Sequence, residues 1–315
     1  MSKMGYFGEG RPGKAKTTTR PRCFYVRSRK GKVASPSLLA PKALPYSFTH
    51  LLTYHMLLPY HALVGGSTQG IGRAVAEALA DAGATVTLIA RNEAALREVA
   101  AALPTPAGQQ HDYLVADFSQ PTQVAEAVVG YLATHPAGFQ ILVNNTGGPP
   151  AGPLLQATPA DFERAFAQHV ICNQLLAQAL VPGMAAAGYG RIINIISTSV
   201  KMPLPGLGVS NTIRGAVASW AKTLANEVAG QGITVNNVLP GATVTQRHES
   251  LIEQKIAATG QPRAQVEAAM LQQIPAHRFG QASELAAAVA FLASPAAGYI
   301  TGTSLPVDGG RTGSL

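Results

Sequence analysis

From His61 onward, short apolar runs alternate with longer stretches in which apolar residues recur every three or four positions. The short runs predict buried strands, and the recurring pattern predicts amphipathic helices. Seven strands are predicted, over 61–66, 84–90, 111–117, 139–145, 191–197, 233–240 and 304–307. Six helical stretches are predicted between them, near 70–82, 92–102, 120–134, 159–187, 209–230 and 281–293.

Uniformly apolar strands that alternate with helices are typical of a parallel sheet covered on both faces. We therefore expect an α/β fold, a doubly wound Rossmann-type parallel sheet, in a single domain over 60–315. An irregular insertion at about 242–278 carries short helical pieces, and its length and amphipathic character suit a mobile substrate lid. Within it Arg247 and His248 could face a ligand, although a solvated loop is the favoured interpretation.

The charge of the chain is concentrated at its start. The 315 residues are 47% apolar and 13% charged, which is enough to bury a sizeable core. Residues 1–60 hold eleven Lys/Arg and one acidic residue, a net charge of +10, whereas residues 61–315 carry −2. Because the globular part is mildly acidic, we expect no nucleic-acid partner.

Residues 1–59 are rich in Pro, Gly, Ser and Arg and have no apolar period, so we predict a disordered basic extension. A transit peptide, a nucleic-acid arm, a solvated tail and a true start at Met56 remain open as alternatives. The apolar stretch at 51–58 is too short to span a bilayer, so no membrane partner is expected. Cys23 and Cys172 form no disulfide or metal-ligand pattern, which favours a reducing, cytoplasmic location.

The first strand runs into the sequence GGSTQGIGRAVAEAL, which opens the first helix. Glycines at this point let the chain turn tightly and bring backbone N–H groups close to a pyrophosphate at the helix N-terminus. An ordinary strand–helix turn is the alternative, but the position after the first strand favours a dinucleotide site. The residues predicted to bind are Gly66, Ser67, Thr68, Gln69, Gly70, Ile71 and Gly72.

Further motifs follow in order: NNTG at 144–147, GRIINIIS at 190–197, LPG at 239–241 and YITG…VDGG at 299–310. Together with the glycine spacing they resemble the short-chain dehydrogenase/reductase family over about 61–310, and in particular bacterial 3-oxoacyl-carrier-protein reductases. The resemblance implies a nicotinamide dinucleotide cofactor and a small-molecule substrate. It also implies a homodimer or homotetramer, with which the broad apolar faces of the helices at 159–187 and 209–230 agree.

In that family an acid at the end of the second strand selects NAD, and this chain has Ala90 followed by Arg91 in that place. A guanidinium without a neighbouring carboxylate suits a 2′-phosphate, so NADP(H) is the expected cofactor. Arg91 as a merely solvated residue is the alternative. The resemblance adds to the cofactor-binding set Asp117 and Phe118 beside the adenine, Asn145 and Gly147 along the nucleoside, and Thr243.

The family's catalytic set is Asn, Ser, Tyr and Lys, and only the serine is kept, as Ser197. His169 occupies the Asn position, Ser210 the Tyr position and Arg214 the Lys position. A serine hydroxyl is a far weaker acid than a phenol and is too short to reach the same oxygen. Arg214 stays protonated, so it can hold ribose hydroxyls but cannot relay a proton.

These residues predict an NADP(H)-dependent oxidoreductase that interconverts a carbonyl and an alcohol with non-standard proton delivery. The substitute acid is His169, whose imidazole ordinarily titrates near neutrality, or Lys201 at the lip of the site. A helix histidine satisfied by a carbonyl and a solvated lysine are the alternatives for these two. The other function class is a non-redox member that keeps the cofactor site: a regulatory or binding protein, a lyase or an isomerase.

Overall fold

The computed structural model describes residues 56–314. Seven parallel strands form one sheet in the order β3-β2-β1-β4-β5-β6-β7. The doubly wound fold and all seven predicted strands are confirmed. The strands are β1 (His61–Gly65), β2 (Thr85–Ala90), β3 (Asp112–Val115), β4 (Ile141–Asn144), β5 (Gly190–Ile195), β6 (Ile233–Pro240) and β7 (Ser304–Val307).

Helices follow the strands as the apolar periodicity predicts, and the insertion contributes two more. The α-helices are α1 (Gly70–Asp81), α2 (Glu93–Ala102), α3 (Pro121–Thr134), α4 (Pro159–Phe166), α5 (Cys172–Ala186), α6 (Gly208–Val228), α7 (Gln246–Thr259), α8 (Arg263–Leu271) and α9 (Ala282–Ala293).

The prediction of a single helical stretch over 159–187 is wrong in one respect. A π-helical turn, Ala167–Ile171, separates α4 from α5. A π turn widens the helix by one residue and changes the direction in which the following side chains point. His169 lies in this turn and is only 3% exposed. A period of three to four residues carries no sign of such an insertion.

Alternate residues of the strands face two separate cores, as a sheet with a period of two requires. On β1, Val64 packs in a core with α1, α2 and α9, and Leu63 packs in the opposite core with α3, α5 and α6. Both faces of the sheet are therefore covered, which explains why the strands are apolar on both sides.

The folded part extends further toward the N-terminus than the predicted boundary at residue 60. Leu57 is fully buried in the α1 side of the core, and its N–H donates to the Ala82 carbonyl at 3.0 Å. The rest of the predicted basic extension, with Cys23, lies outside the described residues. Between residues 56 and 314 no helix is long and apolar enough to cross a membrane.

The strand order places the site. Because the order runs outward from β1 toward β3 on one side and toward β7 on the other, the connections after β1 and β4 leave in opposite directions. Ligands of such sheets bind in the crevice that opens there, beyond the carboxyl ends of the strands. The motifs named above all reach this edge, the last of them through Asp308 directly after β7.

Candidate active site

The glycine turn after β1 is shaped by contact with the loop after β4. Gly66 and Gly70 both have a φ of +56°, a conformation that favours glycine. A Cβ on Gly72 would overlap the Gly66 carbonyl oxygen and lie 2.6 Å from Asn145 Nδ2. Asn145 Nδ2 in turn donates to the carbonyls of Gly65 and Gly66, at 3.1 and 3.3 Å. The sequence-predicted glycines and Asn145 therefore meet in one crevice.

The N-terminus of α1 is suited to an anion. Its first turn has no acidic residue, and the side chain of its N-cap, Gln69, makes no capping hydrogen bond. Ser67 is completely buried, and its Oγ has no hydrogen-bond partner among the described residues. Free N–H groups, an unused hydroxyl and the positive end of the helix dipole together fit a pyrophosphate. Thr68 and Ile71 complete the turn.

The adenosine side of the crevice is lined as predicted in part. Ala90 ends β2, and Arg91 beside it is exposed and forms no ion pair with any described residue. Asp117 follows β3 and accepts a hydrogen bond from the Ser119 N–H at 2.9 Å. The ring of Phe118 is buried in the α3–α5–α6 core, with its tip 3.2 Å from the position of a Cβ on Gly65.

The start of the insertion closes the crevice from the β6 side. Thr243 is buried after β6, and its hydroxyl donates to the Gly241 carbonyl at 3.3 Å. Thr245 caps α7, and its methyl carbon lies 3.4 Å from the position of a Cβ on Gly70. Gly147 has open space around its Cα, as a residue along the path of a ligand should.

The catalytic candidates gather beyond β5. Ser197 ends the strand region as the N-cap of a short 3-10 helix, Thr198–Val200, and its Oγ accepts from the Ser199 N–H at 3.1 Å. No acceptor among the described residues takes its hydroxyl hydrogen, which leaves that hydrogen for a ligand. Arg214 on α6 is 8% exposed and donates from Nη1 to the Ile195 carbonyl at 2.8 Å. Ser210, one helical turn earlier on α6, is half-buried.

The expectation that His169 titrates near neutrality is wrong. Burial, with the Arg214 cation nearby as a second cause, lowers the pKa of His169 to about 2, although the Gly147 carbonyl opposes the shift. The imidazole is therefore neutral at physiological pH and holds no proton of suitable acidity. Its Nδ1 is hydrogen-bonded to Thr146 Oγ1 at 2.7 Å. Its buried Nε2 has no partner among the described residues.

Arg214 keeps its charge despite its burial. Desolvation, and then repulsion from Arg247, lowers the pKa of Arg214 to about 10, still far above neutrality. A cation therefore lies at the position predicted for ribose binding. The tyrosine that stands beside this position in the family is replaced here by Ser210.

A small cavity behind these residues adds three side chains that were not among the predicted site residues. It has room for about one water molecule. Asn144, Thr146 and Asn173 line it together with His169 and Arg214. The available signals were weak, since Asn144 only adjoins Asn145 and Asn173 only follows His169 by four residues.

Asn144 also begins a row of side-chain amides across the sheet. Its Nδ2 donates to Asn194 Oδ1 at 2.8 Å, Asn194 donates to Asn237 Oδ1 at 2.9 Å, and Asn237 donates to Ser304 Oγ at 3.1 Å. These four residues are in register on β4 to β7. Such a buried, connected network fixes the relative position of the strand ends that carry the site.

The insertion forms a helical hairpin whose base faces the site. Arg263 of α8 pairs with Glu249 and Glu253 of α7 and with Glu267 of its own helix, so ion pairs join the two helices. The solvated-loop interpretation is wrong for His248, which is 5% exposed and packs edge-on against Phe279 at 4.5 Å between ring centres.

Arg247 is exposed but still forms a hydrogen bond within the protein. Its Nη2 donates to the Pro149 carbonyl at 2.7 Å, which joins the base of α7 to the loop after β4. Desolvation lowers its pKa. Lys201, the other predicted proton donor, is exposed in the turn after the Thr198–Val200 helix.

The fold, the glycine turn and the crevice at the point where the strand order reverses define a dinucleotide-binding α/β protein. The profile of the Enoyl-(Acyl carrier protein) reductase family matches residues 66–312. A curated relative, the 3-oxoacyl-[acyl-carrier-protein] reductase of Haemophilus influenzae, is 35% identical over 249 residues, 79% of this chain and 96% of that protein. The chain belongs to the short-chain dehydrogenase/reductase family.

Solved structures agree with this assignment. The L-sorbose reductase of Gluconobacter frateurii, solved with NADPH and L-sorbose, is similar with a TM-score of 0.76 at 32% identity, covering 81% of this chain and 97% of that one. A gluconate 5-dehydrogenase of Burkholderia cenocepacia, solved with NADP and tartrate, is similar with a TM-score of 0.75 at 32% identity, covering 84% of this chain and 100% of that one.

Proposed function

We propose that this protein is an NADP(H)-dependent oxidoreductase that interconverts a carbonyl and an alcohol. The observation that carries the proposal is the juxtaposition of an anion-binding glycine turn with Ser197 and a charged, buried Arg214 at one sheet edge. The similar sorbose reductase and gluconate dehydrogenase, solved with NADPH and NADP, support this choice of cofactor. Arg91, free of any carboxylate partner among the described residues, would hold the 2′-phosphate.

The reduced nicotinamide, when bound, supplies the hydride to the carbonyl carbon. Ser197 donates a hydrogen bond to the carbonyl oxygen, on which negative charge develops, and it can do so because Ser199 leaves its hydroxyl hydrogen unused. Arg214, held by the Ile195 carbonyl on the same strand end, places a cation beside that charge and ribose hydroxyls within its reach.

Proton delivery differs from the family pattern in this proposal. Neither the neutral His169 nor the short Ser210 hydroxyl is a suitable acid, so the alkoxide takes its proton from water at the open rim of the site. Lys201 is the titratable side chain on the rim that follows Ser197. Stabilising the charge first and protonating it from solvent leaves the reaction slower, since a general acid typically contributes 10²–10⁴-fold.

A panel of ketones and 3-oxoacyl thioesters, followed by NADPH oxidation, tests the reaction. Ser197→Ala should lower turnover by about 10²–10³-fold, because it removes the oxyanion hydrogen bond. Ser210→Ala is the matched control and should change turnover little. Equal losses in the two serine variants would contradict the proposed role of Ser197.

A second function class is favoured by one observation: no described residue at the site combines the reach and the acidity of the missing tyrosine. The double variant Ser210→Tyr with Arg214→Lys decides between the classes. A gain in ketone reduction means that nicotinamide and substrate are already placed for hydride transfer. Tight NADPH binding without turnover in either protein supports a non-redox, cofactor-binding member.

The assembly is also a proposal. Phe166 and Ile171, at the junction of α4 and α5, are large apolar residues that the single chain leaves exposed. We expect a homodimer or homotetramer, and light scattering at micromolar concentration measures it.

A further inference from the structure

Two arginines that come from different parts of the chain converge on one point of the site. Arg214 reaches it from α6 and Arg247 from the first turn of α7. Their Nη2 atoms lie 3.6 and 3.9 Å from the position that a Cβ on Gly148 would occupy. Gly148 has no such carbon, so the space between the two guanidinium groups is open.

Neither guanidinium is neutralised within residues 56–314. The described ion pairs of arginine involve Arg73, Arg97, Arg164, Arg263 and Arg278 only. The protein hydrogen bonds of the converging pair go to backbone carbonyls, those of Ile195 and Pro149. Two like charges held close together, one of them buried, cost free energy unless an anion joins them.

The position of this pair relative to the reacting groups limits what the anion can be. Arg214 is anchored on the carbonyl of Ile195, two residues before Ser197, so the pair lies at the strand end that carries the proposed oxyanion donor. The glycine turn and the N-terminus of α1 already offer their own N–H groups to the pyrophosphate. A planar group with two oxygens, each accepting a charge-assisted hydrogen bond of about 2.8 Å, matches a pair of guanidinium forks.

We propose that Arg214 and Arg247 form a carboxylate-binding subsite, and that the substrate is a small oxo acid whose carboxylate lies next to the reacting carbonyl or one carbon further away. The substrate class rests on the proposed function, because it assumes that reaction. The anion subsite does not depend on it. It separates this chain from an enzyme for thioesters, which have no free carboxylate. Gly148 is the specificity-determining position, because any side chain there would fill the subsite.

Binding of a non-reacting probe tests the subsite directly. Malonate and its uncharged analogue malonamide are titrated calorimetrically into the full chain at constant ionic strength, with and without NADPH. Malonate should bind at least about 10-fold more tightly than malonamide, the range expected for hydrogen bonds to a charged group. Equal affinity for the two probes would overturn the proposal.

Two variants and two matched controls locate the effect. Arg247→Gln and Gly148→Ala should each weaken malonate about 10- to 100-fold and leave malonamide unchanged. Arg97→Gln removes the same charge from the exposed face of α2, and Gly152→Ala adds a methyl where nothing lies within 4 Å. Both controls should bind malonate as the unmodified chain does.

The same titrations separate this inference from the proposed function. If NADPH does not bind at all, the proposed function is wrong, but the malonate titration still tests the anion subsite. If NADPH binds and Arg247→Gln weakens NADPH but not malonate, Arg247 serves the cofactor and the inference is wrong. Reduction of acetoacetate at least about 10-fold more efficiently than of its methyl ester, a preference lost in Gly148→Ala, would support the substrate class.

Discussion

The cofactor crevice and the catalytic corner lie at the same sheet edge but are built in different ways. In the crevice, Gly66 and Gly72 pack against Asn145 so closely that added atoms would collide, and Gly70 has a positive φ that favours glycine. In the corner, Ser197, Ser210 and Arg214 are offered by their side chains, and a cavity of about the size of one water molecule lies against Arg214. The backbone fixes the first region, and side-chain chemistry decides the second. A family scaffold can therefore keep its cofactor site while its catalytic residues change.

A substitution that disrupts only the cofactor crevice tests this comparison most directly. Gly72→Ala should reduce NADPH affinity by more than about 100-fold or abolish it, because the new Cβ overlaps the Gly66 carbonyl and displaces Asn145. Calorimetric titration with NADPH measures the loss. Gly130→Ala in α3 is the control, since a Cβ there meets nothing within 4 Å. It should leave binding intact and raise the free energy of unfolding by about 0.5–1 kcal/mol.

If Gly72→Ala keeps full affinity, the glycine turn is not where the pyrophosphate binds. The fit of the α1 N-terminus, with its unused Ser67 hydroxyl, would then need another ligand.

This difference also explains how far the sequence predicts the molecule. The apolar runs were sufficient to predict the seven strands, because a strand that is buried on both faces of the sheet must be apolar along its length. The spacing of glycines was sufficient for the turn, because few residues can adopt positive φ. Leu57 escaped prediction since the short apolar stretch at 51–58 has neither the period of a helix nor that of a strand.

The catalytic corner was predicted only as a set of positions. Counting placed His169 in the right neighbourhood, but its neutrality follows from burial in the π turn, which no periodicity reveals. The approach of Arg247 to Arg214 depends on how a hairpin 33 residues further along folds back over Gly148. Contacts of that kind arise from tertiary packing, so their residue types alone were ambiguous.

The pH dependence of the free energy of unfolding tests whether His169 is buried and neutral in the folded chain. Its pKa is lowered in the folded chain from 6.5 to about 2, so below pH 6.5 the unfolded chain binds a proton that the folded chain does not. Stability is therefore complete above pH 6.5 and is lost as the pH falls through the window between the two values. The loss is at most about 1.4 kcal/mol per pH unit.

Denaturant unfolding between pH 7 and pH 4.5 measures this slope. In His169→Asn the slope should be shallower, whatever the variant's stability at pH 7. His277→Asn, at an exposed position with a φ of +51° that asparagine tolerates, should keep the original slope. Identical slopes in all three proteins would mean that His169 is accessible to protons in the folded chain, and it would return as a candidate acid.

The smallest expected effect separates the two ends of the cofactor. Arg91 is exposed and touches only the outer part of the crevice, so Arg91→Ala should leave the fold and NADH affinity unchanged. It should weaken NADPH by about 10-fold, the worth of a charge-assisted contact to a phosphate that solvent partly screens. Arg97→Ala, on the exposed face of α2, which begins two residues after Arg91, and paired with Glu93, controls for the change in charge. Paired titrations of NADPH and NADH measure the ratio of affinities. Because a 2′-phosphate contact acts on NADPH only, a parallel drop for both cofactors would assign Arg91 to the shared part of the nucleotide instead.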